Sequence, residues 1–205
     1  VTSAPPLPRV DIIGLIVAAG FLSCIFTANV FIAHIGVNHG PSQPHTIALG
    51  LGLSSPSGAL LAGASFTLRD LVQHRLGLGS TVAVIAAGTA LSAWVSPTLA
   101  FASGISFLAS ETADLTVYTP LRSRSAAAAV LASNTVGAAI DTTVFLCLAY
   151  GWTSVTRFGA GQVIVKLISS ILVAGLMFAV AALLRSRHPF PSGLAGHRLD
   201  VNGRR

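Results

Sequence analysis

Long apolar runs alternate with short polar ones along almost the whole chain. The first apolar run extends from Ile12 to about Ile35, and a polar stretch rich in His, Asn, Pro and Ser follows, from Gly36 to His45. The second runs from Thr46 to about Leu68 and ends at Arg69 and Asp70. Ser54, Ser55, Pro56 and Ser57 lie near its middle. A helix needs about 20 apolar residues to cross a bilayer core. Proline removes a backbone hydrogen bond, so Pro56 predicts a bent or broken second helix whose freed carbonyl is met by nearby hydroxyls. Leu71 to Gly79 reads as a short basic connector. The third run is Thr81 to about Val95. After a turn at Ser96 and Pro97, the fourth continues to about Tyr118 and is ended by Pro120 and the Arg122, Ser123, Arg124 cluster. The fifth is Ala126 to Tyr150, Gly151 to Arg157 reads as a loop, and the sixth is about Gly159 to Leu184. The pattern predicts an all-α integral membrane protein: a cytoplasmic segment over residues 1–9, a six-helix transmembrane domain over 10–184, and a flexible cytoplasmic tail over 185–205.

Composition supports a lipid-facing surface. The 205 residues are 53% hydrophobic and only 9% charged, where a soluble domain carries about 25% charge. The formal charge of +6 does not point to nucleic acid, because the arginines are scattered between apolar runs and form no single basic face. They act as topology signals instead. Arg9, Arg69, Arg75, Arg122, Arg124, Arg185, Arg187, Arg198, Arg204 and Arg205 fall on one side of a six-span arrangement, and Arg157 alone on the other. The excess of arginine on the cytoplasmic side predicts both termini in the cytoplasm. The first run exceeds a signal-peptide core and resembles those after it, so it is expected to stay in the protein. Cys24 and Cys147 lie in apolar runs and behave as small apolar residues. No phosphate-binding loop, dinucleotide fingerprint, HExxH or GxSxG occurs, so nothing supports an ATPase, a hydrolase or a bound cofactor.

The candidate chemistry lies inside the runs. Glu111, Asp114 and Asp141, with Lys166, occupy predicted spans. A charge at the bilayer centre costs roughly 2.5–3.5 kcal/mol, and such residues mark functional sites by default. Glu111, Asp114 and Tyr118 share one face of the fourth helix, Asn134, Gly137 and Asp141 one face of the fifth, and Gln162, Lys166 and Ser169 one face of the sixth. Turned inward, the three stripes would surround one shared cavity, with Gly137, Ala138 and Ala139 allowing close backbone approach. A structural ion pair of Lys166 with Asp141 or Glu111 is the plainer reading. Three carboxylates against one lysine nevertheless leave surplus negative charge for a donor-rich ligand, a cation or a proton. Asn29 could bond a ligand or a neighbouring helix. Asp70 is expected to pair with Arg69 or Arg75, or to cap a turn, and Asp11 to favour the start of the first helix. His34, His39 and His45 lack metal-ligand spacing and read as solvated loop residues.

Four segments carry a family resemblance: Ser65–Gly77 (SFTLRDLVQHRLG), Ala109–Arg122 (ASETADLTVYTPLR), Ser133–Phe145 (SNTVGAAIDTTVF) and Lys166–Ser170 (KLISS). In this order the chain resembles the queuosine precursor transporter (VUT) family, from about Asn29 to Leu184. The resemblance implies import of a 7-deazaguanine, such as 7-cyano- or 7-aminomethyl-7-deazaguanine. It also implies a fold similar to the substrate-binding component of energy-coupling-factor transporters, and the alternative to a stand-alone carrier is such a component of a vitamin or nucleobase uptake system that needs a separate ATPase module. By the family pattern Asp70 matches the acidic residue before the first inner loop, and Glu111 a Glu or Gln position. Asp114 matches the acidic residue one turn later, Asp141 the fifth-helix Asp and Lys166 the sixth-helix Lys. The chain departs at Ala138, where members often carry Asn or Gln. A guanine edge presents ring and exocyclic N–H donors together, which a carboxylate accepts as a bidentate pair. Glu111 is the first candidate for that role and Asp141 the second. Asn134 and Asn29 complete the expected binding set, Lys166 balances charge or donates to the purine carbonyl, and Phe66, Phe107 or Trp94 could stack on the ring. Arg69, Asp70 and Pro56 are expected to serve structure or gating. A lysis or assembly factor is the non-transport alternative, and it has no need of buried carboxylates.

Overall fold

A computed structural model describes residues 11–121 and 123–187. The predicted N-terminal segment, Arg122 and the tail beyond residue 187 lie outside the described residues. Helix α1 spans Ile12–His34. Asp11 caps it, its carboxylate accepting the Gly14 N–H at 3.0 Å, and Arg75 approaches the same carboxylate at 3.7 Å.

The second predicted helix does not begin at Thr46. Strands β1 (Thr46–Gly50) and β2 (Leu53–Pro56) form an antiparallel hairpin there, with Thr46 opposite Pro56 and Ala48 opposite Ser54. Gly50, Leu51 and Gly52 all take positive φ at its tip, a conformation that two glycines supply cheaply and that no helix contains. Pro56 therefore kinks no helix. It ends a strand with only one neighbour, where its missing N–H costs nothing. The polar loop before the hairpin is pinned rather than loose: His39 Nε2 meets Thr46 Oγ1 at 2.8 Å, and His45 Nδ1 meets the Ile32 carbonyl at 3.3 Å.

Helix α2 spans Ala59–Val95, with non-helical backbone at Gly77 (φ 81°, ψ 170°). Only Gly77 leaves the helical conformation inside the expected connector. Contacts with α1 show what the break does. A Cβ on Gly14 would meet Leu76, one on Gly20 would meet Leu68, and one on Gly58 would meet Ala28, so the first arm runs antiparallel to α1. Gly88 faces Leu22 and Ile25, and Asn29 bonds Ser92, so the second arm runs parallel to α1. The chain thus reverses at Gly77, and Val72, Val84 and Ile85 from the two arms meet around Ala18 and Phe21.

Helix α3 spans Pro97–Leu121 and α4 spans Ala126–Tyr150. Proline suits the first helical position, where its missing N–H is one of the unpaired groups anyway. Pro120 falls in the last turn of α3 instead of beyond it. Ser125 caps α4 through the Ala128 N–H, and Gly151 ends it with φ 83°. Helix α5 spans Trp152–Arg187, so the loop expected over Gly151 to Arg157 shrinks to Gly151 alone, and helix extends past the expected limit at Leu184.

Helix α3 packs along α4, α1 against both arms of α2, and α5 against α2 and α4. The outside is apolar and much of the inside is polar. Ile168, Ile171, Leu172 and Leu176 on α5 are exposed, as are Ile12 and Ile16 on α1. Lys166, Ser92, Ser106, Ser110 and Gln162 are buried. Stretches in Ile12–His34, Ala59–Val95, Leu131–Tyr150 and Trp152–Val180 are long and apolar enough to cross a membrane. This is a multi-pass membrane protein whose described residues form five helices, one of them folded back on itself.

Candidate functional site

The site begins where α2 crosses α5. A Cβ on Gly63 would lie 2.5 Å from the Lys166 carbonyl oxygen and 2.7 Å from its Cα, so only glycine permits this approach. Hydroxyls stitch the crossing: Ser169 donates to the Leu60 carbonyl at 2.6 Å and Ser170 to the Gly63 carbonyl at 2.8 Å. Such bonds lock helices together where no water competes. The Lys166 backbone is held by this crossing, and its side chain, 1% exposed, reaches α4. There it donates to Asp141 Oδ2 and, at 3.2 Å, to Thr142 Oγ1. An ammonium so deeply buried without its carboxylate would cost several kcal/mol.

Lys166 and Asp141 line a central cavity with Asn29, Phe66, Phe107 and Gln162, and all five helices contribute to its wall. A water-sized sphere can place its centre over ≈ 100 Å³ there, several times the roughly 10–15 Å³ that one water needs. Several hydrogen-bond donors on its wall are held by protein acceptors. Asn29 Nδ2 donates to Ser92 Oγ at 2.8 Å and to the Ile25 carbonyl at 3.3 Å. Ser65 donates to Ala62 and Ser106 to Ser103. Gln162, which also lines the space, has its Oε1 buried and without a hydrogen-bond partner.

A second cleft lies beside the first. Arg69, Asp70, Glu111, Asp114, Asn134 and Ala138 line it. Arg69 is buried on the first arm of α2 and pairs with Glu111 on α3, while its Nε donates to Asp70 at 3.0 Å. Phe66 lines both spaces. Its ring centroid is 5.7 Å from the Arg69 guanidinium carbon and 5.9 Å from Lys166 Nζ. Arg69 also lies 5.6 Å from the Phe107 centroid. One aromatic ring therefore separates two ion pairs and touches both cations, an arrangement that cation–π attraction favours.

The residues expected around one cavity are thus divided. Asn29, Asp141 and Lys166 reach the central cavity. Glu111, Asp114 and Asn134 reach the second cleft with Arg69 and Asp70. Lys166 pairs with Asp141 and not with Glu111, and Asp70 pairs with Arg69 while Arg75 turns to Asp11. Asn29 bonds a neighbouring helix through Ser92, and it also lines the cavity. Pro56 lines neither space. Trp94 is 89% exposed and stacks on nothing inside; indole rings at helix ends anchor proteins at the membrane interface. Gly137 is buried between α3 and α4, but its nearest neighbour would be an ordinary 3.7 Å away, so the tight crossing is at Gly63 instead. Sequence reasoning missed Arg69 as a buried cation because a lone arginine beside Asp70 at a run's end looks like a loop charge. Gln162, expected on the inward Lys166 stripe but not in the binding set, does line the central cavity.

Residues 89–180 match the family model described as "Putative vitamin uptake transporter". No curated protein and no solved structure matches the chain. Glu111, Asp114, Asn134, Asp141 and Lys166 fall inside the matched segment; Asn29, Pro56, Arg69 and Asp70 fall outside it. The matched family is one of transporters and not of enzymes.

Proposed function

We propose that this chain imports a 7-deazaguanine, a queuosine precursor, across the cytoplasmic membrane, and that the central cavity is its binding site. The two arms of α2 are two passes, which makes six in all and gives the bundle the plan expected of energy-coupling-factor substrate-binding components. Both termini are cytoplasmic. Burial of Arg69 removes it from the loop charges, and the remaining arginines still favour this orientation.

The carrying observation is the carboxylate of Asp141, held by Lys166, in the wall of a cavity that Phe66 and Phe107 also line. A carboxylate beside aromatic faces suits a planar ligand with N–H donors. The ring and exocyclic N–H groups of a 7-deazaguanine meet that demand. Asp141 accepts the guanine edge, Lys166 donates to the ring carbonyl, and Phe66 and Phe107 supply stacking faces. Glu111, the first candidate for the guanine edge in the sequence, pairs with Arg69 and in this reading is part of the inner ion pair that opens for release.

The test uses cells unable to synthesise 7-deazaguanines. Expression of the chain should restore queuosine in tRNA at low external 7-cyano-7-deazaguanine. No restoration, in cells where the protein reaches the membrane, overturns the substrate class. Uptake that requires a separate ATPase module would make the chain a binding component and not a complete carrier.

A further inference from the structure

We infer that the space beneath the outer loop is the entry vestibule to the central cavity, and that Ile32 is the apolar gate between the two. This rests on the reading of the central cavity as a transport site and on the orientation with both termini cytoplasmic. It does not depend on which substrate is carried. The vestibule lies at the end of the bundle where α1 and α4 finish. Asn38, Gln43 and His45 of the loop line it, with Leu99 of α3 and Tyr150 of α4. The centres of water-sized spheres cover ≈ 350 Å³ there, against ≈ 100 Å³ in the central cavity, so the outer space is the roomier of the two.

Ile32 lines both spaces. It stands one turn beyond Asn29 on α1, about 4.5 Å further outward, and is 4% exposed. Leu99 from the vestibule wall and Phe145 from the cavity wall belong to the same apolar cluster as Ile32. The rings of Phe145 and Tyr150 meet edge to face with centroids 6.4 Å apart, so a second contact runs from one wall to the other. An apolar constriction keeps water and ions out of a path, and its parts separate without leaving a buried charge unpaired. The loop is tied to this gate. The Ile32 carbonyl is one of the last four of α1, which lack helical partners. It accepts the His45 N–H at 3.1 Å, and His45 Nδ1 lies 3.3 Å from it. The His45 carbonyl accepts the Ser57 N–H at 2.9 Å, just before α2. Movement of the loop therefore acts on the Ile32 backbone directly.

The experiment uses intact cells expressing the full chain with Cys24→Ser and Cys147→Ser. One reporter cysteine is added, Asn38→Cys in the vestibule or Ser106→Cys in the central cavity. The probe is a small charged methanethiosulfonate that does not cross membranes. Asn38→Cys is expected to label rapidly. Ser106→Cys should label slowly, and at least about 10-fold faster once Ile32→Ala is added. Ile32→Val should give a smaller rise in the same direction, which serves if the Ala variant fails to reach the membrane. Leu146→Ala trims the same cluster but lines neither space, and should leave Ser106→Cys slow. An equal rise with Leu146→Ala, or an unchanged rate with the Ile32 variants, overturns the gate. Labelling of Asn38→Cys only after permeabilisation overturns the vestibule as the outer entry. None of these readings uses the substrate, so a failure to restore queuosine strikes the substrate class and leaves the gate standing.

Discussion

The two ion pairs use the same chemistry in different surroundings. Lys166 and Asp141 are 1% and 13% exposed at the side chain, while Arg69 and Glu111 are 8% and 28% exposed. Arg69 also has a second carboxylate, Asp70, 59% exposed. Lys166 has one carboxylate and a hydroxyl, and its backbone is fixed under Gly63. The dry pair cannot separate without leaving a buried charge, so it suits the fixed wall of a binding site. The more exposed pair has an alternative partner in Asp70, so it suits a part that opens. Phe66 lies between them and lines both spaces.

The largest expected effect follows from removing half of the dry pair. Asp141→Ala should abolish uptake and destabilise the protein by about 3–5 kcal/mol, because Lys166 is left buried and unpaired. Adding Lys166→Met should recover most of the stability in thermal unfolding while uptake stays absent. Recovery of uptake as well would mean that the pair only holds helices together.

The glycines extend the same contrast. Gly63→Ala pushes a methyl into the Lys166 backbone and should cost about 1–3 kcal/mol, visible as a lower melting temperature. Gly137→Ala, beside the second cleft, has room and should be neutral or gain up to about 1 kcal/mol of helix propensity. Equal losses at both would remove the distinction between a locked and a loose half.

Glu111→Ala should abolish uptake with a smaller stability cost, about 1 kcal/mol, because Asp70 still satisfies Arg69. Ligand binding to the purified protein should survive. Loss of binding equal to that of Asp141→Ala would place both pairs in one site. The smallest effect belongs to Trp94→Ala, which should leave binding unchanged and only weaken membrane anchoring, read as detergent-extracted yield.

Much of this was legible from hydrophobic length. The bounds of α4 and the start of α1 follow from where apolar runs meet polar ones, and the inward stripes follow from helical spacing. The β-hairpin was not legible, since Ile47 to Leu53 is as apolar as a helix and only the paired glycines at 50 and 52 hint at a turn. The split of the site was hidden for a different reason. Helical periodicity reports the face a residue occupies and not which neighbour it meets across the bundle. Asp141 lies one turn beyond Gly137, about 6 Å along the axis, while Gly137 faces Ser110 and Asp114. That short offset separates Asp141 from the level of Glu111 and Asp114. The pairing of Glu111 depended on Arg69, whose burial is a property of the packed bundle.

The most direct test is calorimetric titration of 7-cyano-7-deazaguanine into the purified protein, wild type beside Asp141→Asn and Glu111→Gln. The expected result is saturable one-site binding to wild type and to Glu111→Gln, with affinity lowered at least about 100-fold in Asp141→Asn, the loss of a charge-assisted pair. Undiminished binding to Asp141→Asn would contradict the central cavity as the binding site.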